Sequence, residues 1–269
     1  MVIQASLLLE DKAILPDDPR RIISLTPSIT DTLVMLGLLN RIVGVSSFCK
    51  TYVPMVKDKP IVGSYMNVNW DKINELDPDL ILLGMGVQSK LIRMFLEKGY
   101  NVYSLPLPTS LPGILDNMLR ISYITNTYEK GLNLYMSILA RIEKLIENTP
   151  GETKAYVEIW VGEPRTIGQT SYIDDALRII GVRNIYSSIR EPYPKPNLKY
   201  VLESDPDYII ISSESARLNI ERIIEEREWI NLRAVREGKI IVLGIDRPLA
   251  HPSPRIIDVL EYLHKNIWG

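Results

Sequence analysis

The 269-residue chain carries a single cysteine and two histidines. With Cys49 alone, no disulfide can form within the chain, and the residue reads as a small buried side chain rather than a nucleophile. His251 and His264 are too few for a three-histidine metal site, so no metal is expected, and His264 reads as a surface helix position. Basic charge is not in excess: 31 Lys and Arg stand against 33 Asp and Glu, a net charge of −2, which removes the footprint expected of a nucleic-acid partner. No apolar run is long enough to span a bilayer. The opening "MVIQASLLLEDK" lacks a basic region followed by a long apolar core, so it does not resemble a signal peptide. Either a cytoplasmic protein or a sequence starting at a mature, exported domain is expected from it. Catalytic signatures are missing too. There is no G-x-S-x-G elbow and no Walker A loop, and "GMG" at Gly84–Gly86 lacks the third glycine of a dinucleotide fingerprint. That stretch is read as a βα turn, and no catalytic residue is assigned.

What is present is an ordinary globular composition, 46% hydrophobic and 24% charged, and a phrase that occurs twice. "NWDKINELDPDLILL" from Asn69 is matched by "NLKYVLESDPDYIII" from Asn197, 128 positions later. Each copy reads as an Asn cap, a short helix, a stop at Asp-Pro and a strand buried on both faces. A weaker echo relates "TDTLVMLGLLNRIVGVSS" to "DDALRIIGVRNIYSS" in the same order. Two similar α/β lobes are expected, with Leu80–Leu83 and Tyr208–Ser212 at equivalent central places in separate sheets.

Strands are expected at Arg21–Leu25, in "RIVGV", at Asn101–Leu105, in "KAYVEIW" and in "KIIVL", with two short ones around a turn in "SLLLEDKAIL". Ser28 and Asp31 have capping-box spacing, with Gly37 as the stop of that helix. Strand signals vanish from about Ile114 to Asn148. There Thr127 is placed to cap a helix running to about Glu147, long enough at roughly 30 Å to cross a lobe, with Gly131 as its weak point. Further helices are expected at Ile173–Ile180 and from about Ser253. The fold class is α/β, two lobes with mostly parallel sheets joined by one long helix. The boundaries are 1–112 for the first lobe, 113–152 for the connecting helical segment and 153–269 for the second lobe.

Several aromatic residues fall in loops where strands end: Phe48, Tyr52, Tyr65, Trp160, Tyr172 and Tyr193. Ligands of open α/β sheets bind beyond the carboxyl ends of strands, so the set is read as lining a shared aromatic cleft. Tyr65 and Tyr193 each stand four residues before a repeat cap, Asn69 and Asn197.

The stretches "PRRIISLTPSITDTLVMLGL", "VGVSSFCKTYVP", "VGSYMNVNWDKINELDPDLIL", "VEIWVGEPRTIGQTSYIDDALRIIGVRNIY" and "HPSPRIID" resemble the substrate-binding proteins of ABC importers for vitamin B12, haem and iron-siderophores. The likeness runs in order over nearly the whole chain and is greatest to the vitamin B12-binding branch. It implies two lobes on a helical backbone with ligand captured between them, and no resident cofactor. Phe48, Tyr65 and Tyr193, and Trp160 by a less direct match, correspond to aromatic positions around the corrinoid. Asp71 corresponds to one of two acidic positions that dock on the membrane permease. The other is Lys199, of reversed charge, with Glu203 one turn further on.

Three functions follow as expectations. The first is capture of a corrinoid for import by a permease and its ATPase, by a monomer at the cell surface or in the periplasm. The second is binding of haem or a ferric siderophore, whose negative charge would call on Arg165, Arg190, Arg247 and Arg255. The third is a cytoplasmic α/β enzyme or sensor without a transporter, for which Lys199 and the N-terminus speak.

Overall fold

The computed structural model describes residues 15–213 and 218–269. The two strands expected in "SLLLEDKAIL" lie outside the described residues but for Leu15. The chain divides into two compact units: residues up to Pro108 with Ile114–Met136, and Thr109–Gly113 with Ser137–Gly269.

In the first unit strand and helix alternate: β1 (Ile22–Ser24), α1 (Pro27–Met35), β2 (Ile42–Ser46), α2 (Ser47–Tyr52), β3 (Ile61–Gly63), α3 (Trp70–Leu76), β4 (Leu80–Gly84), α4 (Ser89–Glu97) and β5 (Val102–Leu105). Helices α5 (Leu111–Ile124) and α6 (Tyr128–Glu147) follow. The five strands form one parallel sheet in the order β3-β2-β1-β4-β5. Strand β4 is buried throughout and feeds two cores by alternation. Leu80 and Leu82 join Ile22, Leu33, Ile42 and Ile121 on one face, while Ile81 and Leu83 join Ile23, Ile73 and Phe95 on the other. The chain leaves β1 toward β2 on one side and later returns to β4 on the other, which makes the carboxyl ends of β1 and β4 the switch point of the sheet.

The second unit contains β6 (Thr153–Val161), β7 (Glu163–Thr166), α7 (Tyr172–Ile179), β8 (Val182–Asn184), α8 (Leu198–Ser204), β9 (Tyr208–Ser213), α9 (Ile220–Glu226), α10 (Arg233–Arg236), β10 (Ile240–Leu243) and α11 (Ile256–Trp268). Its sheet runs β10-β9-β6-β7, with β8 parallel to the start of β6 and β7 antiparallel to its end. Strand β9 lies between β6 and β10 as β4 lies between β1 and β5, so the repeated strands hold equivalent interior places in two separate sheets.

The repeat extends to single atoms. Asn69 Oδ1 accepts from Lys72 N at 3.0 Å, and Asn197 Oδ1 accepts from Tyr200 N at 3.2 Å. Asp77 and Asp205 both take the left-handed conformation, with φ of 40° and 38°, ahead of the prolines that stop the helices. The helix α1 departs from expectation. Its cap is Thr26, Pro27 opens it, and Ser28 and Asp31 are buried within it instead of forming a capping box. Gly37 does follow its end, with φ of 75°. Helix α6 is unbroken from Tyr128 to Glu147. Thr127 precedes it, but its hydroxyl bonds Thr125 and the Ser122 carbonyl.

Candidate functional site

In the first unit the loops after β1, β2, β3 and β4 gather at the carboxyl edge of the sheet. Ser46 ends β2 and caps α2, accepting from Cys49 N at 3.2 Å, and this turn places Phe48 with 44% of its surface exposed. Its ring meets that of Tyr65 edge to face, 6.2 Å between centroids. Tyr65 sits in a tight turn, where Ser64 N donates to Asn67 O at 2.7 Å and Ser64 Oγ accepts from Met66 and Asn67. Gly63 allows the turn: a Cβ there would lie 2.1 Å from the Asn67 carbonyl oxygen.

Gln88 joins these loops, and nothing in the sequence marks it. It is fully buried. Its Nε2 donates to the Tyr65 carbonyl at 2.8 Å, while its Oε1 accepts from Gly84 N at 2.9 Å and Thr26 Oγ1 at 2.8 Å. One amide thus ties the loops after β1, β3 and β4. A lone Gln after a glycine turn carries no pattern, because its value depends on three loops distant in sequence. Cys49 is buried, as expected, beside Ser46 and Thr30 at 3.1 Å each, and desolvation raises its thiol pKa. Burial and then the nearby Cys49 raise the pKa of the Tyr65 hydroxyl, which keeps it neutral. Asp71 lies exposed in the first turn of α3.

In the second unit Trp160 is half-buried near the end of β6. Its indole N–H donates to the wholly buried Glu158, whose carboxylate also takes Arg227 in two contacts of 2.8 and 3.1 Å and the Tyr156 hydroxyl. The Arg227 guanidinium lies 5.7 Å from the Trp160 ring centroid and 4.8 Å from that of Trp229. Tyr193 is half-buried on the loop between β8 and α8. That loop is fastened by Gly168 N to Pro192 O and Thr166 N to Pro194 O, both 3.0 Å, and by Gln169 N to Ile189 O at 2.7 Å. Gly168 permits the contact, since a Cβ would fall 1.8 Å from the Glu191 carbonyl oxygen. Burial raises the Tyr193 pKa, and a hydrogen bond with Ser171 opposes the rise.

Two aromatics of the expected set have other roles. Tyr172 begins α7 but is buried in the core, its hydroxyl on the Leu249 carbonyl at 2.5 Å. Tyr52 packs against the core of the first unit. Three of the four arginines face carboxylates near them in sequence. Arg165 is 3.7 Å from Glu163 and Arg255 is 3.8 Å from Asp258. Arg247 pairs with Asp246 at 2.6 Å and covers the Tyr262 ring, while Arg190 is exposed on the Tyr193 loop. Lys199 forms an i,i+4 pair with Glu203 at 3.6 Å. Among the described residues no cluster of three His, Cys, Asp or Glu is arranged to hold a metal ion, and no helix is long and apolar enough to cross a membrane.

Known proteins similar to this chain are named for what they bind. The chain is 27% identical over 252 residues to the vitamin B12-binding protein of Vibrio cholerae, covering 91% of this chain and 88% of the relative. It is 23% identical over 253 residues to the cobalamin-binding protein of Halobacterium salinarum, covering 91% and 68%. A periplasmic haem-binding protein from Pseudomonas aeruginosa has a similar fold, with a TM-score of 0.81 at 19% identity over 93% of each chain. The family model for periplasmic binding proteins matches residues 22–246. From strand β1 to just past β10, then, this chain is a member of the periplasmic binding protein family, whose relatives here bind rather than transform their ligands.

Proposed function

We propose that the protein captures a corrinoid outside the cytoplasmic membrane and delivers it to an ABC permease. The candidate ligand contacts are Phe48 and Tyr65 in the first unit and Trp160 and Tyr193 in the second. The observation that carries this reading is the placement of Tyr65 and Tyr193. Both are half-buried, both lie on loops pinned by backbone hydrogen bonds, and both stand four residues before the matching caps Asn69 and Asn197. A flat, apolar-faced macrocycle is recognised by such rings through desolvation and face contact. Haem and ferric siderophores of high negative charge fit less well, because Arg165, Arg247 and Arg255 already face carboxylates. The vitamin B12 relatives support the corrinoid over the haem alternative.

Asp71, exposed at the start of α3, is the proposed permease contact of the first unit. Lys199 and Glu203 form their own pair, so the second unit presents a balanced site instead of a single acid. Native mass spectrometry against cobalamin, cobinamide, haem and ferric siderophores tests the reading. A one-to-one complex with a corrinoid is expected, and selective retention of haem or a siderophore would overturn it.

A further inference from the structure

The strand β6 places Tyr156, Glu158 and Trp160 on one face by its two-residue period. Glu158 is a wholly buried acid, and Arg227 follows α9 to meet it. Core stability does not require such a pair, since apolar residues of similar volume serve as well. What the pair does supply is direction. The two Arg227 contacts and the Tyr156 hydroxyl fix the plane of the carboxylate, and one of its oxygens accepts from Trp160 Nε1. Burial and the Glu158 charge raise the Tyr156 pKa, so that hydroxyl remains a donor. The Trp160 ring is thereby held at one edge by Glu158, with Arg227 stationed over it.

We propose that Glu158 is a positioning residue for Trp160: it locks the indole in one orientation, so that the half-buried ring offers a fixed face to a planar macrocyclic ligand. This rests on the reading of Trp160 as a ligand contact. A locked ring loses less freedom on binding than one that must be ordered by the ligand.

A double-mutant cycle with cobinamide as the probe tests it. Trp160→Phe is expected to weaken binding roughly tenfold, the scale of one truncated aromatic contact. Glu158→Gln is expected to weaken it several-fold, and the double variant no further than Trp160→Phe alone. In 15N-labelled protein the Trp160 indole N–H resonance, identified by its loss in Trp160→Phe, should shift in Glu158→Gln while those of Trp70 and Trp268 stay in place. Should Glu158→Gln fail to fold, the pair Glu158→Leu with Arg227→Met removes both charges together and should move the same resonance. Additive losses across the cycle, or an unmoved Trp160 resonance, would overturn the proposal. If the wild-type chain binds none of the corrinoids, the proposed function falls, and the indole resonance alone decides whether Glu158 holds the ring.

Discussion

Asp79 and Asp207 do the same work in two sheets. Asp79 accepts from the backbone N–H groups of Arg20 and Arg21 at 2.6 and 3.0 Å, and Asp207 accepts from Lys154 N at 2.9 Å. In return Asp79 N donates to Arg21 O and Asp207 N to Lys154 O. Each carboxylate therefore sets the register between a repeat strand and its central neighbour. This is the physical content of the second aspartate in Asp-Pro-Asp. Asp79→Ala and Asp207→Ala should each cost about 1–3 kcal/mol, the range for losing charged hydrogen bonds to backbone donors. Urea denaturation checks it, and a loss below measurement at both sites would refute the register role.

Gly131 sits inside α6, where glycine normally costs about 1 kcal/mol against alanine. Here the glycine is required. A Cβ at this position would lie 2.2 Å from Ser122 Oγ and 2.4 Å from Ser122 Cβ. Gly131→Ala is therefore expected to destabilise by about 1–3 kcal/mol through overpacking, despite the better helix propensity. In a Ser122→Gly background the same change should become stabilising. Thermal melts of the four chains read out that reversal of sign.

The repeat made the sheets legible, because a continuous apolar run straight after Asp-Pro-Asp, found twice, has few alternatives to a doubly buried strand. Helix α1 starts elsewhere than its residues suggest. Ser28 and Asp31 have the chemistry of a cap, but Pro27 starts the first turn two residues earlier, with Thr26 as the cap, and tertiary packing buries both side chains. The strand β7, "EPRT", is short and charged and has no periodicity to find; it exists because β6 continues past β8 and leaves a free edge. Tyr172 lies beside loop residues in sequence, yet as the first residue of α7 it points into the core. Gln88 and the Glu158–Arg227 pair are invisible in the sequence because Tyr65 and Thr26 lie 23 and 62 residues from Gln88, and Arg227 lies 69 from Glu158.

Gln88→Glu separates the two halves of the Gln88 network. The acceptor for Gly84 N and Thr26 Oγ1 is kept, but an oxygen replaces the N–H that meets the Tyr65 carbonyl. Two acceptors then face each other, and the turn carrying Tyr65 should loosen at a cost of about 1–3 kcal/mol. Corrinoid affinity is expected to fall with it. Hydrogen exchange at Ser64–Asn67 should rise, and unchanged protection there would show that Gln88 does not hold the turn.

Alkaline conditions should destabilise the protein. Burial raises the pKa of Tyr172 well above its ordinary value, and burial with the Glu158 charge does the same for Tyr156. Folding therefore favours the protonated forms. Their contribution is fully present below the unfolded value near 10 and is lost as pH rises above it, at up to about 1.4 kcal/mol per pH unit for each tyrosine. Tyr172→Phe should cost some stability at neutral pH, because the Leu249 carbonyl loses its donor. It should also make the decline above pH 10 shallower. Melting temperatures of both chains between pH 8 and 11 test this, and parallel declines would show that Tyr172 does not contribute.

Tyr65 and Tyr193 give the sharpest test of the ligand site. Their positions relative to the caps follow from the repeat and owe nothing to relatives. Each is half-buried, neither belongs to the large fully buried side chains, and each has its pKa raised by burial without being sealed from solvent. A core aromatic cut to alanine typically costs about 3–5 kcal/mol, and half-buried loop residues should cost clearly less. Tyr65→Ala and Tyr193→Ala are therefore expected to lower the melting temperature modestly while weakening corrinoid binding, and the double change should weaken binding more than either alone. Calorimetric titration and thermal melting on the same three variants separate the outcomes. Affinity that holds while the melting temperature collapses would make these tyrosines packing residues and move the ligand elsewhere. Affinity that falls stepwise on a nearly intact fold would support both tyrosines as ligand contacts.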